Sequence, residues 1–298
     1  MPRLLITGVS PSSIGLETIR CILETQRVAR QPQQWHIVLA QRDAESPQAK
    51  QAALQLQTYC SPGCTIESRT CDLESFKSVR AFVQDVTEPL DVVVLNAGLV
   101  SKLRHLTEDG IETTCQVNHL GHFLLLHLLQ DKLMRGTRVV FVASSLHKGQ
   151  DASKTLRAMH CADGPLRTTE PIYRPMTAYA QSKLLQAWCI AGWHRQLSPK
   201  GVQVLLASPG FVPTSGLARE ETPLKQFLMR WVLHYAPFAR SLEQAGKTIA
   251  ACALADELAV SNVYIDANLK ETRMHEAVYD DALAQEVWDW SRERCAIE

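Results

Sequence analysis

Short apolar runs alternate with longer segments of helical spacing through the first 210 residues, and that alternation limits the fold more than any other feature. The runs Arg3 to Thr7, Trp35 to Ala40, Thr65 to Thr70, Asp91 to Leu95, Thr137 to Val142 and Val202 to Ala207 read as strands, each expected to be buried on both faces. Between them, positions 15–29, 43–59, 73–87, 107–133 and 176–197 repeat apolar residues at helical spacing, and Thr107 or Asp109 can begin the fourth of these helices. Strand and helix in turn predict an α/β, Rossmann-type doubly wound parallel sheet in three layers. The polar stretch from Gly149 to Arg174 reads as a surface excursion. After Pro209-Gly210 come an irregular segment, an amphipathic stretch at 224–238, a helix near 241–256 and a last strand from Asn262 to Asp266. With no linker, repeat or low-complexity tract, residues 1–298 are expected to form one domain.

Composition removes several classes of function. Lys and Arg number 31 and Asp and Glu 31, so the chain lacks the basic excess that nucleic-acid binding needs. The nine cysteines are odd in number and scattered, which suits reduced thiols; Cys60, Cys64 and Cys71 lack a fourth ligand nearby, so no metal site is expected. Met1 leads directly into the first strand, and the most apolar stretch, Phe227 to Phe238, is short and broken by Arg230 and His234. A cytoplasmic protein without a membrane span is the expectation.

Chemistry-bearing residues gather where strands end. The turn after the first strand, with Gly8, Ser10, Ser12, Ser13, Ile14 and Gly15, leads into a helix whose free N–H groups and dipole suit a pyrophosphate, although Ser13 stands where a third glycine could be. Arg42, just past the second strand, could pair with a 2′-phosphate and so favours NADP; the bland reading is a solvated loop charge followed by Asp43 as a helix cap. Tyr179 and Lys183 are four apart, hence on one helix face, where an ammonium can stabilise phenolate. Upstream lie Asn96-Ala97-Gly98 after the fourth strand, Asn118, and Ser144 at the end of the fifth. A serine there can hydrogen-bond a carbonyl, and an asparagine can hold a water or a helix backbone.

In this set and order the chain resembles the short-chain dehydrogenase/reductase superfamily, matching the glycine turn, Asp72-Leu73, Asn96-Ala-Gly, Asn118, the serine, Tyr179-x-x-x-Lys183 and Ser208-Pro-Gly. Within it, Leu39-Ala-Gln-Arg-Asp, Val117-Asn-His-Leu-Gly-His-Phe and the segment Pro209 to Glu220 resemble retinol dehydrogenase-like and light-dependent protochlorophyllide reductase-like members. The resemblance implies Tyr179 as general acid/base, Ser144 (or its neighbour Ser145) orienting the substrate oxygen, Lys183 lowering the phenol pKa and holding the nicotinamide ribose, and Asn118 supporting a proton relay. It implies NADP(H) contacts from Asp72, Leu73, Asn96, Ala97, Gly98, Pro209, Gly210, Val212 and Thr214 as well as the glycine turn. Phe211 departs from the protochlorophyllide enzymes, which carry a cysteine there.

Residues 211–240 are implied to cover the substrate. Their Phe211, Phe227, Trp231, Tyr235 and Phe238 suit an apolar or aromatic small molecule. A core helix, a subunit interface and peripheral membrane contact are the other readings of 224–238. His119, His122 and His127 read as surface or core histidines. The expected activity is NADP(H)-dependent hydride transfer to or from a carbonyl/alcohol carbon. The alternatives are a double-bond reductase of the protochlorophyllide kind and a non-catalytic NADP-binding regulator; self-association stays open.

Overall fold

The computed structural model describes residues 1–28, 33–160, 173–213 and 239–297. Its sheet has the strand order β3-β2-β1-β4-β5-β6-β7-β8. These are β1 (Arg3–Thr7), β2 (His36–Gln41), β3 (Thr65–Thr70), β4 (Leu90–Leu95), β5 (Leu133–Val142), β6 (Gln203–Ala207), β7 (Tyr264–Ile265) and β8 (Glu271–Thr272). The pairings from β3 across to β7 are parallel and β8 joins antiparallel. Chain order reverses direction between β1 and β4, which opens a crevice at their carboxyl ends.

Alternation along the central strands divides their side chains between two cores. Leu4, Ile6, Val92, Val94, Val140, Val142, Leu205 and Ala207 face one side, where α1 (Ile14–Val28) and α2 (Pro47–Gln57) pack. Leu5, Val93, Leu95, Val139, Phe141, Val204 and Leu206 face the other. There they meet α3 (Phe76–Gln84), the short α4 (Thr113–Cys115), α5 (Gly121–Leu129), α6 (Ala152–Met159), α7 (Pro175–Trp188) and α8 (Ile190–Leu197). Each such aliphatic side chain contributes about 1.5–3 kcal/mol by leaving water. Helix α9 (Leu242–Leu254) lies against α1, and α10 (Asp281–Arg294) closes the second face. Gly246 makes the first contact possible, since a Cβ there would stand 2.7 Å from the Glu17 backbone.

Four expectations change. β3 is not buried on both faces: as the sheet's edge its residues are half-buried or exposed, and it uses polar pairs such as Arg69 with Glu67 at 2.6 Å. The stretch after Gly149 is not all excursion, because α6 buries Thr155, Ala158 and Met159. The fourth helix starts at Glu112, whose carboxylate accepts the N–H groups of Thr114 and Cys115, and neither Thr107 nor Asp109 caps it. Helix α2 is capped by Ser46 rather than Asp43. The stretch 224–238, Thr214 and most of the expected substrate cover lie outside the described residues. Among the described residues no helix is long and apolar enough to cross a membrane.

Candidate active site

The crevice is organised around Thr7, the last residue of β1. Its hydroxyl accepts the backbone N–H groups of Asn96 and Ala97, each at 2.9 Å, and lies 2.9 Å from His122 Nε2. With both acceptances used, the hydroxyl proton must point at Nε2, so the imidazole carries its own proton on Nδ1, 3.4 Å from the Asn118 carbonyl oxygen. Burial, reinforced by the charge of Lys183, holds His122 down at about 3, so it is neutral at physiological pH. Asn96 completes the clamp by donating to the carbonyls of Thr7 and Gly8.

The glycine turn is shaped by this clamp. Gly8 has φ +73°, and a Cβ on it would meet Ala97 Cα at 2.6 Å. Gly15 is needed for closeness alone: a Cβ would lie 2.7 Å from Asn96 Nδ2. Ser13, in the place of a third glycine, accepts the N–H groups of Ser10 and Leu16 on its hydroxyl, so the turn is folded by its own side chain. Ser12 adopts a left-handed φ of 57° within it. Ile14 and Gly15 open α1, whose first-turn N–H groups have no intrahelical acceptor.

Asn118 sits in a π-helical turn, Gln116–Leu120, wedged between α4 and α5. Its side chain accepts from Leu99 N–H at 2.8 Å and donates to Leu99 O and Ser182 Oγ, both at 3.0 Å. Both amide protons and one acceptor position of the oxygen are therefore engaged in fastening the Leu99 end of the Asn96–Leu99 loop to α7.

Helix α7 presents Tyr179 and Lys183 one turn apart, both buried. The phenol is pushed up to about 12 chiefly by burial; a hydrogen bond with Ser144 acts the other way, and Tyr264 adds to the rise. Ser144 is the residue that faces Tyr179, whereas Ser145 is exposed and begins the following 3-10 turn. Lys183 Nζ donates to Val142 O at 2.7 Å, approaches Gln186 Oε1 at 3.4 Å and lies 5.9 Å from the Tyr179 ring centroid. No carboxylate among the described residues lies within 4 Å of it, and burial lowers it to about 7.

The remaining expected contacts surround this centre. Leu73 is buried with its carbonyl beside Gly121, where a Cβ would come within 2.8 Å, and Asp72 accepts the Glu74 N–H. Gly98 lies beside Asn118 Oδ1 and Lys183 Nζ. Pro209 and Val212 are buried after β6, and Gly210 turns with φ +85°. Arg42 is 72% exposed and has Glu74 at 3.7 Å, so any anion it holds competes with a carboxylate. Sequence reading missed Thr7, His122, Ser182 and Tyr264 as parts of the site; Tyr264 bonds Ser208 and packs 5.1 Å from the His147 ring.

Residues 4–155 match the model of the short chain dehydrogenase family. The WW domain-containing oxidoreductase of Danio rerio is 32% identical over 97% of this chain and 67% of that protein, and its Homo sapiens counterpart is matched over only 46% of its length. Protochlorophyllide reductase B of Oryza sativa subsp. japonica is 31% identical over 96% of this chain and 75% of that protein. Among solved structures, a blue fluorescent protein from a metagenomic library, in complex with NADPH, superposes with a TM-score of 0.61 at 21% identity, covering 89% of this chain and 95% of that one.

Proposed function

We propose that this chain, which belongs to the short chain dehydrogenase family of oxidoreductases, catalyses NADP(H)-dependent reduction or oxidation at a carbonyl/alcohol carbon of an apolar small molecule. The observation that carries this reading is the pairing of Tyr179 with Ser144 and with Lys183, the phenol and the ammonium both buried. The crevice suits a dinucleotide: glycines stand where a Cβ would collide, a helix N-terminus opens beside them, and Lys183 retains a proton beyond its two protein acceptors. Gly8, Ser10, Ser12, Ser13, Ile14, Gly15, Asp72, Leu73, Asn96–Gly98, Tyr179, Lys183, Pro209, Gly210 and Val212 would hold it, with Arg42 at the 2′-phosphate; bound there, it supplies hydride.

In this reading Ser144 and Tyr179 grip the substrate oxygen. A phenol near 12 keeps its proton at neutral pH, so Tyr179 stands ready as an acid for carbonyl reduction. Lys183, near 7, exchanges protons at neutral pH and becomes the cation that draws the phenol downward when protonated. Asn118, His122 and Thr7 keep the cofactor loop and α7 in register, acting through backbone. A cytoplasmic location belongs to the same proposal. Following NADPH absorbance across a carbonyl panel tests it: Tyr179→Phe removes turnover while NADPH binding persists, and unchanged turnover overturns the role of Tyr179.

The likeness to the rice enzyme favours a second reading, reduction of a carbon–carbon double bond in a pigment-like substrate. Phe211 stands against it, since the protochlorophyllide enzymes carry a cysteine there. Turnover of protochlorophyllide that requires light would select this reading, and dark turnover of a carbonyl selects the first. Tight NADPH binding with no turnover of either would point to a regulator.

A further inference from the structure

A cavity of about 380 Å³ opens on the helical flank between α5, α8 and α10, lined by His127, Gly192, Arg195, Gln196, Gln285, Trp288 and Arg292. None of these residues takes part in the crevice chemistry. Its floor is aromatic: the half-buried Trp288 ring meets Trp193 at 4.8 Å and Phe123 at 4.9 Å between centroids. Gly192 gives the indole its seat, because a Cβ there would lie 2.2 Å from Trp288 Cε3.

Its walls are cationic. Among the described residues neither Arg195 nor Arg292 has a carboxylate within 4 Å. Arg195 instead donates to Gln285 Oε1 at 3.3 Å, while the amide of Gln285 donates to Asp289, which places a neutral group between that acid and the guanidinium. The Gln130 amide donates to His127 Nδ1 at 3.0 Å, leaving the ring proton on Nε2. Burial first, then the charges of Arg292 and Arg80, hold His127 below its ordinary value; the charges acting on it are all positive.

Two guanidiniums, one from α8 and one from α10, line the same cavity without a carboxylate partner among the described residues, and a dianion that accepts from both gains charge-assisted bonds. A flat ring can lie on the indole beside them. We propose that this cavity is a second binding site, for a phosphate monoester bearing a flat ring, with Arg195 and Arg292 gripping the phosphate and Trp288 flooring the ring.

Phenyl phosphate is the probe, titrated into the full chain while the His127 ring resonances are followed by NMR. The expected result is a saturable shift, with affinity reduced about tenfold or more in Arg195→Gln and again in Arg292→Gln. Tyr179→Phe should bind as the wild type does, and inorganic phosphate more weakly than phenyl phosphate. A response that fails to saturate, or one that both arginine variants retain in full, overturns the site. Equal affinity for inorganic phosphate overturns the ring-bearing ligand. Both arginines are partly or fully exposed, so neither substitution threatens the fold.

Discussion

Lys183 and Arg42 are both expected to meet the cofactor, and they stand in opposite surroundings. Lys183 is enclosed, lowered to about 7 by burial, and held by a single short bond to Val142 O. Arg42 lies in solvent with Glu74 across from it. A charge placed where water cannot screen it is costly to the fold and strong in chemistry; one on the surface is cheap and weak. The two cations therefore predict different consequences when removed.

The largest effect is at the enclosed one. Lys183→Met should lower turnover by at least 100-fold while raising the melting temperature below pH 7, because the buried cation disappears. The sign follows from proton binding. With a folded pKa near 7 against 10.5 for the free side chain, the unfolded chain binds more protons between those values, so wild-type stability climbs with pH across that window. The gap between Lys183→Met and wild type should be widest at pH 6 and close toward pH 10 in thermal melts. A variant that melts lower at every pH breaks the contrast.

Next in size is the hub that needs no charge. Thr7→Val keeps the shape of the side chain but strips Asn96 N–H, Ala97 N–H and His122 Nε2 of their partner, and should cost about 3 kcal/mol in urea denaturation. Acid should reach the same place: His119 and His122 are both held neutral down to about 3, so stability should fall as pH drops from 6.5 toward 3, the unfolded state taking up protons that the folded state refuses. A midpoint of acid unfolding that moves downward in His122→Asn sharpens this assignment.

The smallest effect belongs to the surface cation. Arg42→Gln should cut the preference for NADPH over NADH by about tenfold or less without changing the melting temperature, and Glu74→Gln should raise that preference by removing the competitor. Equal use of both cofactors by the wild type would detach Arg42 from the cofactor altogether.

Much of the fold was legible because periodicity is a local property. β1 and β3 were placed to the residue, and β2, β4, β5 and β6 differ mainly at their ends. The exposure of β3 was hidden, since which strand lies at an edge is decided by pairing far along the chain. Helix α10 escaped notice: its buried residues Ala284, Val287 and Trp290 are few and flanked by charges, and it folds by packing against α7 and α8. Tyr179 and Lys183 became legible only together with Asn96-Ala97-Gly98, Asn118 and Ser144 in order, since their spacing alone says only that they share a helix face. Thr7 did not, because a β-branched residue closing a strand is ordinary, and only the approach of Asn96, Ala97 and His122 makes it a hub.

The π-helical turn at Gln116–Leu120 carries one residue more than an α-helix would, and that surplus has a consequence for sequence length rather than composition. Excising one residue there would return the turn to an α-helix and leave the helix on either side in phase, so that α5 keeps its seat. His122 would keep Thr7, whereas Asn118, inside the turn, would be re-aimed away from Leu99 and Ser182. A single deletion in this stretch should therefore leave the fold standing while releasing the loop that follows β4.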